Sequence, residues 1–242
     1  MMRLNKLTRI GLILYFFFYL IFPNLAISQN FKKDILINIQ NGLNNRDYNS
    51  ISEYFEGNEI INLKDKFSKI IKEFPNAKWL IKISDKNQKN NNNIFHIKFS
   101  GSKVLNNKEY ILNSNFDYNF VLINGKITKG VIKNLLTTVR NDKNKIDLDI
   151  SIPDKVLTGS NYDIDIIVNN PLDNSILAGG IKEYQEDSLL NEPIILEPLS
   201  SGGLYKMTRA PSKPGIQIWS GMIAHPEGLI SFTKTVDIID EF

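Results

Sequence analysis

The residues able to do proton or metal chemistry in this chain are few and far apart. There are two histidines, His96 and His225, and no cysteine. Disulfides, thiolate metal sites and cysteine nucleophiles are therefore excluded, and two separated histidines cannot build a His-rich zinc site. Acid–base work needs titratable groups converging on a pocket. The candidates are Asp34 and Tyr54 in segments of helical period, and His96 and Asp117 in segments of strand period. His96 has the parity opposite to Phe95, Ile97 and Phe99, so it is expected to point away from that apolar face. Asp117 shares its parity with Ile111, Asn113, Asn115 and Asn119, a mostly polar and solvated set. No spacing within one element forces an Asp and a His onto a common face. On this reading Asp117→Ala and His96→Ala leave folding and binding nearly intact.

Other motifs add little. Asp163 with Asp165, and Asp147 with Asp149, repeat the outer-face pattern of a strand, and no calcium-loop spacing occurs. The chain lacks G-x-S-x-G, the phosphate-binding P-loop and G-x-G-x-x-G. No cofactor or metal is expected. His225 opens the turn His225–Pro226–Glu227–Gly228, where it is expected to order the backbone. Arg209 is the sole arginine after Arg140 and precedes Ala210–Pro211. It is expected to lock the PSKPG loop, with recognition of a partner carboxylate as the alternative.

The elements that position these residues follow from hydrophobic period. Phe31, Ile35, Ile39 and Leu43 recur at helical spacing, Tyr48–Phe55 gives a second short helix, and Leu63–Phe74 a third that Pro75 ends. The period then shortens to two. Strands are expected at Trp79–Ile83, Phe95–Phe99, Tyr110–Leu122 and Lys126–Val139, with turns at Asn106–Asn107 and Asn124–Gly125. The apolar-free RNDKNK stretch, residues 140–145, marks a boundary. Seven short strands follow, at Ile146–Ile152, Tyr162–Val168, Ile176–Tyr184, Pro193–Leu199, Gly203–Arg209, Ile216–His225 and Leu229–Ile239.

Residues 1–28 read as a signal peptide or N-terminal membrane anchor. Arg3, Lys6 and Arg9 precede the apolar run Ile10–Phe22, and Ala26 and Ser28 suit cleavage after Ser28. The run is short for a bilayer span, though extending it through Ile27 keeps an anchor open. Without this segment, Lys+Arg equals Asp+Glu at 26 each, so composition gives nucleic-acid binding no support. The neutral sum hides two halves: residues 29–145 carry 20 bases and 11 acids, residues 146–242 carry 6 and 15.

The first half, residues 29–141, resembles the NTF2-like superfamily. The likeness rests on the three-helix lead, the long aromatic strand and the hairpin INGKITKG at Ile123–Gly130. The second half, residues 146–242, resembles the small immunoglobulin-like β-sandwich that follows such domains in uncharacterised exported proteins of cyanobacteria. GGLYKMTRAPSKPG (Gly202–Gly215) and AHPEGLISFTK (Ala224–Lys234) carry that likeness. The resemblance implies an α+β cone of three helices on a curved antiparallel sheet, then an all-β sandwich. It also implies export to the periplasm or thylakoid lumen and a homodimer through the cone sheet.

The expected function is a non-catalytic exported binding or interaction module of the cell envelope. Its partner would be a small apolar or amphipathic ligand or an envelope protein. The binding residues would be Tyr54, Phe55, Tyr110, Phe116, Tyr118 and Phe120. Two alternatives stand beside it: an enzyme using Asp34, Tyr54, His96 or Asp117 in the cone pocket, and a structural scaffold with a filled pocket.

Overall fold

The computed structural model describes residues 23–84, 93–141, 146–169, 176–184, 193–199 and 202–241. Most of the expected targeting segment, residues 1–22, lies outside them, as do most of the Asn-rich 87–93 loop and the 142–145 link. Three helices come first: α1 (Pro23–Asn45), α2 (Tyr48–Ser52) and α3 (Asn58–Glu73). Asp47 caps α2 by accepting from the Asn49 and Ser50 amides. The position proposed for cleavage, Ser28, falls within α1. None of the helices among the described residues is long and apolar enough to cross a membrane.

Twelve strands follow: β1 (Lys78–Ile83), β2 (Asn93–Leu105), β3 (Lys108–Ile123), β4 (Lys126–Arg140), β5 (Leu148–Ser151), β6 (Lys155–Leu157), β7 (Asn161–Val168), β8 (Ala178–Tyr184), β9 (Glu197–Pro198), β10 (Gly203–Arg209), β11 (Gly215–His225) and β12 (Gly228–Ile239). β1–β4 form a meander. The Asn106–Asn107 and Asn124–Gly125 turns between them all take positive φ, which suits Asn and Gly in tight hairpins.

The expected cone and sandwich do not form. β4 does not curl back but pairs antiparallel with β12, residues Leu136–Arg140 against Ile230–Lys234. Strands of both halves thereby join one nine-stranded sheet, ordered β1-β2-β3-β4-β12-β11-β8-β9 with β6 alongside β12. β10-β7-β5 make a separate three-stranded sheet. Both sheets are flat, so the NTF2-like α+β cone is replaced by a mixed α+β fold of two flat sheets and three helices. The immunoglobulin-like sandwich falls for the same reason. One of its layers belongs to the sheet begun in the first half, and the other has only three strands. The cyanobacterial kinship and the periplasmic or thylakoid-lumen location were implied by that likeness, and the topology gives them no support.

Two cores stabilise this arrangement. Under the helices, Ile35, Ile39, Leu43, Ile51, Phe55 and Phe67 pack on Ile81, Phe95, Ile97, Phe120 and Ile127. In the second half, Ile164, Ile166 and Val168 of β7 pack on Trp219, Ile223, Phe232 and Val236. Leu136 and Thr138 pair with Lys234 and Phe232. The sheet face turned away from the helices thus continues into the face covered by the smaller sheet.

Four side-chain contacts brace this arrangement. Trp219 Nε1 donates to the Tyr162 hydroxyl at 2.7 Å, which donates to Gln217 Oε1 at 2.8 Å. Burial pushes the Tyr162 phenol up to about 12, against the lowering effect of the indole bond. Lys234 pairs with Asp154. Lys133 Nζ, on β4, donates to Asp237 Oδ2 on β12 at 2.8 Å.

Candidate functional site

Alternation along β1–β4 creates two faces of opposite character. The helix-covered face carries the aromatic positions. Phe55 and Phe120 are buried, and Tyr54, Phe116 and Tyr118 pack against the same cluster. Asn38 Nδ2 donates to the Tyr54 hydroxyl at 2.7 Å. The Tyr118 hydroxyl donates to Glu59 Oε2 at 3.1 Å. Burial, reinforced by Glu59, holds the Tyr118 phenol well above its ordinary value. Five of the six aromatic candidates are therefore brought together, as filling between sheet and helices. Tyr110 lies apart, half-buried and paired with Lys103 near the other end of β3. Asp34 is exposed on α1.

The opposite face is polar and ordered in three cross-strand rows. The first is Lys78–Ser100–Asn113–Thr138, the second Leu80–Lys98–Asn115–Leu136, the third Lys82–His96–Asp117–Lys133. The first two rows line a basin of about 390 Å³. Lys78 and Lys98 are the charged residues that line it, and no Asp or Glu does.

In the third row two residues separated in sequence meet. His96 Nδ1 lies 2.9 Å from Asp117 Oδ1, with side chains 40% and 27% exposed. Asn134 Nδ2 donates to Asp117 Oδ2 at 2.7 Å. The pair comes from neighbouring strands, which is why spacing within a single strand does not reveal it. Asp117 is consequently not a free solvated acid. Asp117→Ala removes the partner of both His96 and Asn134, and the expectation of a near-neutral change gives way to a cost of about 1–3 kcal/mol.

Asn134 owes its position to a bulge. Asn115 faces Leu136 and Asp117 faces Lys133, so Asn134 and Leu135 together oppose Phe116. Asn134 has φ 53°, the left-handed conformation in which a non-glycine residue is strained. Its Oδ1 is buried without a hydrogen-bond partner. We expect Asn134→Ala to destabilise more than Asn134→Gly by about 1 kcal/mol, because both lose the Asp117 bond but glycine accepts the backbone. Urea unfolding of the two variants checks this.

Two further sequence candidates sit elsewhere. Arg209 Nε donates to the Gly159 carbonyl at 2.9 Å, tying the turn after β6 to the end of β10. His225 Nδ1 accepts from the Glu227 amide at 3.0 Å. Among the described residues, no group of three or more His, Cys, Asp or Glu is placed to hold a metal.

Residues 143–239 match a domain family of unknown function, DUF8623. The DUF8623 segment is less than half of the chain. It includes β5–β12, and thus the strand that accepts β4, but none of the residues lining the basin. No curated protein matches the chain.

Proposed function

We propose that this chain is a non-catalytic binding module that takes a small amphipathic anion in the basin on its open sheet face. The lining of that basin carries the reading. Lys78 and Lys98 line it together with the polar Ser100, Asn113, Ser114, Asn115 and Thr138 and the apolar Trp79, Leu80, Phe99 and Leu136. A basin of about 390 Å³ falls in the size range of small-molecule sites. The excess of bases in the first half favours an anionic partner. Export is part of the proposal and rests on the basic and apolar N-terminal residues.

Calorimetric titration of the full-length protein with decanoate and with decyltrimethylammonium tests it. Decanoate should bind and the cation should not. Lys78→Glu or Lys98→Glu should weaken decanoate about tenfold or more, whereas Lys126→Glu, at the start of β4, should leave it unchanged. Equal binding of both amphiphiles, or indifference to the two basin reversals, would sink the proposal.

A further inference from the structure

We infer that His96, Asp117 and Asn134 form the polar end of this same site and select a ligand with a hydroxyl or N–H donor a few bonds from its anionic group. The inference rests on the basin being a binding site. Its own ground is the geometry of the third row. Both Asp117 oxygens are occupied, one by His96 Nδ1 at 2.9 Å and one by Asn134 Nδ2 at 2.7 Å. A carboxylate can only accept, so Nδ1 is the donor, and the neutral imidazole then presents Nε2 as an acceptor. The ring cannot turn without breaking its bond to Asp117, and Asp117 is held in turn by a residue in a strained bulge. Fixing a histidine through a carboxylate and a second hydrogen bond is how a ring nitrogen is aimed at a ligand.

The row lies next to the basin. His96 is two residues from Lys98 on one strand and faces the same side, which places the two about 7 Å apart along the sheet. Asp117 stands in the same relation to Asn115, which also lines the basin. A ligand whose anion meets Lys98 therefore brings atoms three to five bonds away up to His96 Nε2. Strain at Asn134 and its orphaned buried carbonyl oxygen fit a bulge retained for aiming a side chain rather than for stability.

Titrating the full-length protein with decanoate and 3-hydroxydecanoate tests the inference. Wild type should prefer 3-hydroxydecanoate over decanoate about five-fold, the net worth of one hydrogen bond. His96→Phe should erase that preference while leaving decanoate affinity intact. Asp117→Asn, which frees the ring to change tautomer, should reduce it. Equal affinity for the two monoacids, or a preference that survives His96→Phe, overturns the inference and leaves the basin reading standing. Loss of all decanoate binding in wild type overturns the basin reading and this inference together.

Discussion

Lys133→Met should lower the unfolding free energy by about 3–5 kcal/mol, the largest effect expected of any surface-reaching side chain here. Asp237 is 2% exposed, and its Oδ1 has no hydrogen-bond partner. Its other oxygen depends on Lys133 Nζ. Removing the ammonium strands a buried charge, whereas removing the carboxylate leaves a lysine 35% exposed that can reach water. Asp237→Asn should therefore cost less than Lys133→Met, and the double variant should recover much of the loss. Urea unfolding gives the free energies, and thermal melts should show a fall of about 10 °C for the single lysine change. Equal costs for the two single variants would mean that Asp237 is not paying for its burial through Lys133.

Trp219→Ala is the second large effect, again about 3–5 kcal/mol. The indole is 1% exposed, at the centre of the core between the two sheets. Its loss opens a cavity and also removes the donor to the Tyr162 hydroxyl. Tyr162→Phe keeps the ring and so separates the polar part, costing about 1–3 kcal/mol by orphaning the indole N–H and Gln217. The raised phenol gives this core a pH signature. The fold favours the protonated phenol, so its contribution is complete below the ordinary value near 10. It drains away as pH rises through about 12. Unfolding measured at pH 9, 10.5 and 12 should show that fall in wild type and a shallower one in Tyr162→Phe.

Much of the chain's local structure is legible from period and turn chemistry. The Phe95–Phe99 and Tyr110–Leu122 alternations mark β2 and β3, and the Asn106–Asn107 turn joins them. That turn also sets the register of the two strands. A two-residue hairpin pairs Leu105 with Lys108, and counting outward at constant register sets His96 opposite Asp117. The dyad was therefore within reach of sequence reasoning. Asn134 was not. The Asn124–Gly125 turn starts the β3–β4 register in the same way, but two irregularities shift it before Asn115, and nothing in Lys133–Asn134–Leu135 announces a bulge.

Sheet order is not legible in the sequence. Alternation says which side of β4 faces a core but not which strand takes its free edge, because that edge bonds through backbone groups common to every residue. β6 hid within PDKVLTGSN, too short for a period to register, and the expected Pro193–Leu199 strand shrank to Glu197–Pro198. The aromatic stripe of β3 lies under the helices. Taking it for a cavity required a sheet that curls, and this one is flat.

The seam between β4 and β12 sets an order of events during synthesis. Arg140 pairs with Ile230, so the seam closes only after β12 has left the ribosome. Until then the Leu136–Arg140 edge stands open, with backbone donors and acceptors that any other strand can take. Pairings this distant in sequence form slowly. The interval before β12 emerges is thus the one in which the growing chain is most exposed to aggregation, and a truncation ahead of β12 should leave a product that self-associates rather than a folded half.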